Sequence, residues 1–354
     1  MRIAIFISTL RFGGAEKQAV VDAALLCQEH EVTVIAFEGG ELQEQLPDAA
    51  VFLLLKKSNY VQTALQLSRL LRQRKIDVVH AHLFAPMVIS SIATLFCKTP
   101  VVWNFHSHAY EEGRNVRIVH GLVSKLPRVK RILFPASELQ RYYQTSKYGF
   151  PARKEAIFFN SGQFKERQLL KLPAGPPVVI GYIGRVIPLK RIHLLLELAV
   201  RLQQKGSTPF QISIVGDGSE LPALKAQARA KGVEQQVQFH GFQSNTEQYY
   251  RSFSIFALPS EEEVLSLSLI DAQLAGLPCV AFDVGGNADV VEHGQSGFVV
   301  AEEQAFYASI EKLVENKALR REMGQQAIQQ STDKFSQKAR EENLGQLYQS
   351  VVSL

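Results

Sequence analysis

The stretch RIAIFISTLRFGGAEKQAV, residues 2–20, decides the fold of the chain. A short apolar run from Ile3 to Ser8 leads into a loop with two glycines, and apolar residues then recur at helical spacing from Glu16 to Gln28. This order predicts a buried strand, a turn and a helix, which together make the βα unit of a parallel sheet. Because ligands bind beyond the carboxyl ends of parallel strands, we expect functional residues in the loops that follow strands.

The same alternation runs through most of the 354 residues. In the first half it predicts further strands at Val32 to Phe37, Val51 to Leu54, Val78 to Ala81, Val101 to Phe105, Ile132 to Pro135 and Ala156 to Phe159. In the second half it predicts strands at Val178 to Ile183, Gln211 to Val215, Val237 to Phe239, Ile255 to Leu258 and Cys279 to Phe282. We therefore predict an α/β protein of two doubly wound, Rossmann-like domains that face each other across a cleft.

A polar stretch separates the two series of strands and ends in the breaker-rich sequence PAGPP, residues 173–177. This composition is typical of a linker between domains. The sequence thus predicts an N-terminal domain over residues 1–165, a linker over 166–177 and a C-terminal domain over 178–335. We expect a last helix, over 336–354, to cross back to the first domain.

The composition is that of a globular protein, because 46% of the residues are hydrophobic and 21% are charged. Cys27, Cys97 and Cys279 lie far apart, so neither a disulfide framework nor a cysteine zinc site is predicted. No apolar stretch approaches the ~18–20 residues of a membrane span. We expect a cytoplasmic protein, soluble or peripheral on the inner face of the plasma membrane.

The positive charge of the chain is concentrated in its first half. Residues 1–165 hold 21 Lys and Arg against 13 Asp and Glu, whereas the remaining residues hold 18 against 21. Nucleic acid, an anionic membrane and a lipid-phosphate acceptor all suit such a surface. Charge alone does not choose among these partners.

Six basic residues crowd between positions 114 and 131 and alternate with apolar ones. They are Arg114, Arg117, Lys125, Arg128, Lys130 and Arg131. The pattern is typical of a surface helix that attaches to anionic membranes, and a solvated basic helix face fits it about equally well. We predict weak, salt-sensitive membrane attachment here and no nucleic-acid partner.

The loop after the first strand contains Gly13 and Gly14 and opens a helix. Exposed amides at a helix start can receive a phosphate, and glycine lets an acceptor approach the backbone closely. A plain tight turn explains the loop equally well.

Two His-x-His pairs, His80 with His82 and His106 with His108, lie at the ends of predicted strands. Residues two apart on a strand share a face, so each pair could present both imidazoles to a metal. No Asp or Cys accompanies either pair in the sequence, and we therefore predict no metal site. We expect one histidine of each pair to be buried and the other to face the cleft.

Three glycine-bearing loops follow strands of the second half. The loop that begins at Gly184 carries Arg185 and Lys190, two cations that suit a diphosphate. Gly216 and the pair Gly241-Phe242 could let a flat base or a ribose lie against the backbone. Solvated surface charge and ordinary turns are the competing interpretations.

The segment from Leu258 to Pro278 is the most informative one. Three carboxylates follow a predicted strand, and the pattern predicts a helix that begins near Val264. On such a helix, Glu263 and Asp271 would lie ~12 Å apart along the axis and ~80° apart around it. The two acids could then hold distant hydroxyls of one extended ligand, while amides at the helix start meet its phosphates.

Taken in order, these motifs resemble the retaining GT-B glycosyltransferases of group 1, which include glycogen-synthase-like, lipopolysaccharide and mannosyl-transfer enzymes. The resemblance spans nearly the whole chain. The motifs that carry it are GGAE at 13–16, VVHAH at 78–82, Gly184-Arg185 with Lys190, VGDG at 215–218, Pro259-Ser260 with Glu263 and Asp271, AGLP at 275–278, and Gly285-Gly286 through EHG at 292–294 to Gly297-Phe298.

The resemblance implies a role for each matching residue. It assigns His106 to the transferred sugar, Arg185 and Lys190 to the leaving diphosphate, and Glu263 to the sugar hydroxyls. Asp271, where the family usually has Glu, would hold the ribose. The implied donor-binding set is Gly14, Gly184, Gly216, Gly241, Phe242, Ser266, Leu267, Ser268 and Asp271, and Gly13 with Gly14 would form a loop for the acceptor or the phosphate.

The resemblance also implies a reaction, in which a hexose or N-acetylhexosamine moves with retention from a nucleotide-sugar to a saccharide or lipid-linked acceptor. UDP is the expected donor nucleotide and GDP the alternative, and no cofactor is expected. The sequence contains no Asp-x-Asp, which predicts catalysis without a metal. Because Val264-Leu265-Ser266 departs from the family's Gly-aromatic-Gly, a nucleotide-sugar epimerase or hydrolase, or a decayed binding module, remain alternatives.

Overall fold

The computed structural model describes residues 1–108, 114–146, 148–164, 177–206 and 208–353. The chain divides into two compact units. Unit 1 comprises Met1–Asn160 together with Gln337–Leu354, and unit 2 comprises Ser161–Ser336. Residues 166–176 of the predicted linker lie outside the described residues.

Unit 1 is built on a seven-stranded parallel sheet. Its strands are β1 (Arg2–Ile7), β2 (Glu31–Ala36), β3 (Val51–Leu54), β4 (Val78–His82), β5 (Val101–Asn104), β6 (Val129–Phe134) and β7 (Glu155–Ile157). The strand order is β3-β2-β1-β4-β5-β6-β7. Its helices are α1 (Gly14–Leu26), α2 (Tyr60–Gln73), α3 (Phe84–Ala93), α4 (Arg114–Val123), α5 (Ser137–Thr145) and α13 (Gln337–Val352).

Unit 2 is built on a six-stranded parallel sheet in the order β10-β9-β8-β11-β12-β13. Its strands are β8 (Val178–Ile183), β9 (Phe210–Val215), β10 (Val237–Gly241), β11 (Ile255–Leu258), β12 (Cys279–Phe282) and β13 (Gly297–Val300). Its helices are α6 (His193–Lys205), α7 (Leu221–Ala230), α8 (Glu247–Ser252), α9 (Leu267–Leu274), α10 (Asn287–Val290), α11 (Glu303–Glu315) and α12 (Lys317–Phe335). Within the described ranges, no helix combines the length and the apolar character needed to cross a membrane.

The predicted fold class, two Rossmann-like α/β domains with parallel sheets, is confirmed. All twelve predicted strands form, with ends shifted by at most three residues, and β13 is an additional strand. Central strands such as β4 and β11 are buried along their whole length, as expected of a parallel sheet covered on both faces. The strand β11 is entirely apolar, whereas β4 carries the two buried histidines His80 and His82.

The last helix, α13, packs into the core of unit 1. Its buried residues Leu344, Tyr348 and Val351 share one hydrophobic cluster with residues of β1 and α1. Residues more than 300 positions apart in the sequence therefore complete one core.

In each sheet the strand order reverses once. The first strand of unit 1, β1, has β2 on one side and β4 on the other, and the first strand of unit 2, β8, has β9 on one side and β11 on the other. In doubly wound sheets the crevice for a ligand opens at such a reversal, beyond the carboxyl ends of the strands. The loops after β1 and β4, and after β8 and β11, are therefore the expected positions of ligand-binding residues.

Candidate active site

The reversal point of unit 2 brings together Lys190 and Glu263, which the resemblance assigns to the leaving diphosphate and to the sugar hydroxyls. Lys190 Nζ donates to Glu263 Oε1 over 2.6 Å, and the two side chains are only 13% and 11% exposed. The backbone N–H of Glu261 also donates to the Leu189 carbonyl over 2.9 Å. The two loops therefore act as one structural element.

Backbone geometry fixes the position of Lys190. A short 3-10 turn, Pro188–Lys190, ends at Arg191, which has a left-handed backbone (φ 49°, ψ 39°). This conformation is costly for a residue other than glycine. The Arg191 side chain compensates, because it pairs with Glu303 and lies over the Phe282 ring at 5.0 Å from the centroid. Sequence reasoning missed this support.

The loop that carries Glu263 is held by the loop after β12. Gly285 has φ 56°, and a Cβ at this position would lie 1.9 Å from the Glu263 carbonyl oxygen. The next residue, Gly286, donates its N–H to the Val264 carbonyl over 2.8 Å. Any side chain at position 285 would displace the backbone of Glu263, so only glycine fits at this position.

Tyr182 lies close to Arg185 and is affected by the charge of Glu263. Its hydroxyl donates to the Arg185 carbonyl over 2.9 Å. Burial and then the charge of Glu263 raise the pKa of Tyr182 far above its usual value, and Arg185 opposes the shift. The phenol therefore stays protonated near both residues. The Arg185 residue itself is exposed to solvent.

Packing explains the requirement for glycine at 216. Gly216 has φ 143°, and a Cβ there would lie 1.8 Å from the Gly184 carbonyl oxygen. The amide of Gly184 in turn donates to the Val215 carbonyl over 3.0 Å. The loops after β8 and β9 thus depend on Gly216 to pack together.

The predicted start of α9 near Val264 is wrong. The helix begins at Leu267 and is capped by Ser266, whose Oγ accepts from the Leu269 N–H over 3.3 Å. Serine is a favoured N-cap, and the preceding loop is already held in a non-helical path. Glu263 therefore lies in a loop, and the separation calculated along a helix does not apply to it.

Asp271 makes contacts that sequence reasoning did not anticipate. Its Oδ1 accepts from the backbone N–H groups of Gln163 over 2.6 Å and Phe164 over 2.9 Å, and the residue is 8% exposed. A Cβ on Gly162 would lie 2.6 Å from the same oxygen. This carboxylate thus anchors the first residues of unit 2, which are more than 100 positions away in the sequence.

Two other loops carry a glycine that does not pack against neighbouring atoms of the described residues. The helix α1 begins at Gly14, and a Cβ there would meet no atom of the described residues within 4 Å. A Cβ at Gly241 would likewise meet no described atom, and the adjacent Phe242 is 60% exposed. The left-handed backbone of Gly241 (φ 67°) accounts for that glycine, whereas packing among the described residues does not account for Gly14.

The histidines of unit 1 differ from the prediction. Both His80 and His82 are fully buried, so the expectation that only one of them would be buried is wrong. The central position of β4 in the sheet is the reason. His82 Nδ1 lies 2.9 Å from His106 Nε2, and His108 Nε2 lies 2.8 Å from a carboxylate oxygen of Glu138.

An aspartate also accompanies the first pair, contrary to the sequence-based expectation. One oxygen of Asp22, from α1, and one nitrogen each of His80 and His82 all lie within 4.8 Å of one another. Arg340 of α13, however, donates to both Asp22 oxygens, over 2.9 and 2.7 Å. A cation at this place would meet the charge of a guanidinium, which disfavours metal binding.

Two family models match the chain and together span most of it. Glycosyltransferase Family 4 matches residues 12–160, and Glycosyl transferases group 1 matches residues 163–330. The chain belongs to the group 1 glycosyltransferases, as the resemblance of its motifs predicted.

Similar proteins match most of the chain. The Escherichia coli UDP-Gal:alpha-D-GlcNAc-diphosphoundecaprenol alpha-1,3-galactosyltransferase is 24% identical over 86% of each chain. A Campylobacter jejuni alpha-1,4-N-acetyl-D-galactosaminyltransferase, named for a GalNAc-containing diNAcBac-PP-undecaprenol acceptor, is 23% identical over 94% of each chain. The crystal structure of Anabaena HepE in complex with UDP superposes with a TM-score of 0.84 at 20% identity, covering 99% of this chain and all of HepE. The GT-B class of the fold is thereby confirmed.

Proposed function

We propose that the protein transfers a hexose or an N-acetylhexosamine from a UDP-sugar to a saccharide or lipid-linked acceptor, with retention, during assembly of a surface polysaccharide or glycolipid. The observation that carries this proposal is the Lys190–Glu263 pair at the reversal point of the unit 2 sheet. The names of the Escherichia coli and Campylobacter jejuni relatives, which specify undecaprenol-linked acceptors, support the acceptor class. The UDP bound to the Anabaena neighbour supports the nucleotide.

The arrangement suits the charges that develop when a nucleoside diphosphate leaves a sugar. Negative charge grows on the outer phosphate, where Lys190, Arg185 and the first amides of α9 can stabilise it. Positive charge grows on the sugar ring, where the carboxylate of Glu263 can stabilise it. Lys190 and Glu263 hold each other in place through their ion pair, so each charge has a fixed position from which to face the opposite charge of the donor.

We propose that this reaction needs no metal. Lys190 and Arg185 supply the positive charge that a divalent cation would otherwise supply to the diphosphate. The aspartate and histidines that come together in unit 1 do not argue against this, because Arg340 already neutralises Asp22.

Two carboxylate variants test the function and the placement of the donor. In the presence of EDTA, we expect the wild-type protein to release UDP only when donor and acceptor are both present. Glu263→Gln should lower kcat about 100-fold, or ~2.7 kcal/mol, because its interaction strengthens in the transition state. Free UDP should bind this variant as well as or better than wild type, since Lys190 is released from its ion pair.

The matched variant is Asp271→Asn, which keeps an oxygen for the backbone donors of residues 163 and 164 but removes the charge. If Asp271 holds the ribose, this change should raise KM and weaken UDP binding while sparing kcat. Steady-state kinetics and calorimetry with UDP measure both. Donor turnover without acceptor would indicate a hydrolase or epimerase, binding without turnover a decayed module, and dependence on Mg²⁺ a metal-assisted reaction. Each outcome would contradict the proposal.

We further propose that α4 attaches the protein to the cytoplasmic face of an anionic membrane. The helix exposes four apolar side chains, Val116, Ile118, Val119 and Leu122, whose exposed fractions are 40, 50, 44 and 61%. Arg117 and Lys125 are exposed beside them, and Arg128, Lys130 and Arg131 are partly exposed; the side chain of Arg114 lies outside the described residues. An apolar face bordered by basic residues fits a bilayer of anionic lipid.

Hydrogen bonds hold the chain just after the C-terminal end of α4. Lys154 Nζ donates to the carbonyls of Ser124 and Leu126, just beyond the end of the helix, over 2.8 and 2.9 Å. Burial lowers the pKa of Lys154 to about 8, with smaller effects from Arg153 and Lys130. The hydrogen bonds from Lys154 therefore anchor the C-terminal end of α4 to the rest of unit 1, which fixes the orientation of its exposed face.

Sedimentation with lipid vesicles tests this membrane surface. The wild-type protein should bind vesicles that contain phosphatidylserine at low salt and release them at high salt, because exposed charges are screened. Arg117→Gln/Lys125→Gln should weaken binding roughly 30-fold, since each basic residue contributes about 1 kcal/mol near an anionic bilayer. An Arg69→Gln/Arg72→Gln variant, on the exposed side of α2, is the control. Equal binding to neutral phosphatidylcholine vesicles, or no binding, would refute the idea.

A further inference from the structure

A line of imidazoles occupies the reversal point of the unit 1 sheet. His82 is the last residue of β4, and His106 follows the neighbouring strand β5. His82 Nδ1 lies 2.9 Å from His106 Nε2, and the two rings are nearly parallel, with 13° between their planes. One of the two ring nitrogens of His106 is thus engaged with the protein.

Contacts from three directions fix the ring of His82. The ring of His80 lies against it with 4.4 Å between centroids, and His80 Nδ1 lies 2.8 Å from the hydroxyl of Tyr348 on α13. The next residue, Leu83, has φ 67°, a strained value that fixes the direction in which the chain leaves β4. The buried pair of Asp22 and Arg340 lies beside the two histidines. The ring therefore has little freedom to rotate.

The protonation state of the line follows from its surroundings. Burial lowers the pKa of His80, His82 and His106 well below the usual value, and the neighbouring imidazoles and Arg340 add to this effect. A neutral imidazole carries one N–H and one lone pair. In a hydrogen bond between two neutral rings, one nitrogen must donate and the other accept, so the tautomer of His82 determines that of His106.

We infer that His82 is a positioning residue, which fixes the ring plane and the tautomer of His106 and leaves Nδ1 of His106 as the nitrogen that meets the transferred sugar. The inference rests on the proposed function together with the contact between His106 and the transferred sugar that the family resemblance implies. His106 is partly exposed whereas His82 is fully buried, so only His106 can reach a ligand. Nδ1 of His106 would then be held in one state, either protonated or unprotonated, toward a sugar hydroxyl.

Amide side chains distinguish the two nitrogens of a histidine, because Asn places its polar atoms near Nδ1 and Gln places them near Nε2. His82→Asn should therefore keep the bond to His106 and retain kcat within about threefold. His82→Gln should lose that bond and lower kcat roughly 10-fold, the usual effect of one neutral hydrogen bond. At position 106, Asn places a polar atom near the position of Nδ1, the nitrogen that we assign to the sugar, whereas Gln does not. His106→Asn should therefore retain more activity than His106→Gln.

A measurement independent of activity follows the tautomer directly. In ¹⁵N-resolved NMR spectra of the imidazole nitrogens, His106 should show a single tautomer in the wild-type protein and a mixture in His82→Gln. Tyr348→Phe is the matched control, because it removes the bond to His80 but leaves the bond between His82 and His106. Unchanged fluorescence of Trp103, a buried residue of unit 1, would show that each variant is folded.

The outcomes separate the inference from the proposed function. If His82→Gln leaves both the His106 tautomer and kcat unchanged, or if His82→Asn is impaired as strongly as His82→Gln, His82 does not position His106. If His106→Ala transfers sugar at the wild-type rate, the role of His106 in the proposed function fails. The NMR result would then still decide whether His82 fixes its tautomer.

Discussion

Replacing Arg340 by methionine is expected to lower the free energy of unfolding of unit 1 by about 3–5 kcal/mol, the usual result of leaving one charge of a buried pair without its partner. Arg340 and Asp22 are 2% and 0% exposed. The guanidinium also donates to the Phe159 carbonyl over 2.6 Å, so the variant leaves several buried acceptors without donors. Urea unfolding followed by the fluorescence of Trp103, the single tryptophan, measures the change.

A second variant distinguishes loss of the partner charge from general damage to the core. Asp22→Asn keeps an oxygen for the Gln18 side chain, which now donates to Asp22 Oδ1 over 2.8 Å. The double variant Asp22→Asn/Arg340→Met should recover most of the lost stability, because no net charge remains buried. Arg69→Met, at an exposed position of α2, should change stability by less than about 0.5 kcal/mol. A double variant as unstable as the single one would contradict this account.

Acid should destabilise unit 1 steeply below about pH 6.5. The pKa of His80, His82 and His106 is lowered on folding, mainly by burial, so the unfolded chain takes up protons at a pH where the folded protein does not. Stability is therefore complete above the unfolded pKa of ~6.5 and falls as the pH is lowered toward the folded values. Burial also lowers the pKa of His120, in the same unit, to about 4. Four histidines that remain neutral give a slope of up to ~5.5 kcal/mol per pH unit, at ~1.4 kcal/mol each.

The groups that face these histidines are Asp22 on α1 and Arg340 and Tyr348 on α13. The pKa of Asp22 is lowered, because the charge and hydrogen bonds of Arg340 outweigh its burial, and that of Tyr348 is raised by burial. Neither group gains or loses a proton between pH 5 and 7, so the histidines account for the slope. Urea titrations of Trp103 fluorescence at several pH values measure it.

Removal of one buried histidine provides the control for this slope. His82→Asn should reduce the slope by ~1.4 kcal/mol per pH unit, whereas replacement of His293, an exposed histidine of unit 2, should leave it unchanged. A stability of unit 1 that is the same at pH 7 and pH 5.5 would show that the imidazoles are protonated in the folded protein.

Much of the fold could be predicted from the sequence, because the apolar runs of a parallel sheet and the helical periodicity between them are local patterns. The path of the chain around Glu263 could not, since it depends on Gly285 and Gly286 from a loop twenty residues further on. Without that contact, the sequence from Val264 onward has the periodicity of a helix. The strand β13 was missed because it is an edge strand that begins at Gly297 and is only partly buried, so its apolar pattern is weak.

The candidate site was also predicted only in part from the sequence. The sequence predicted Lys190 and Glu263 in loops after two strands that are far apart in the chain. Their direct ion pair depends on the sheet order, which makes those strands neighbours. The partner of Asp22 lies 318 positions away, and no local pattern marks a buried aspartate on a helix that also has alanines and leucines. The helical periodicity nevertheless puts Asp22 on the apolar face of α1. A buried carboxylate requires a cation or a hydrogen-bond donor, so the existence of a partner could have been predicted, although not its identity.

The return of α13 to unit 1 has a consequence for synthesis on the ribosome. Unit 2 is formed by one continuous stretch, whereas unit 1 needs residues from both ends of the chain. A nascent chain emerges in sequence order, so unit 2 can finish folding while Asp22 and His80 still await Arg340 and Tyr348. The domain that is translated first is therefore the last to be completed, and until then the apolar residues of β1 and α1 that pack against α13 lack their partners.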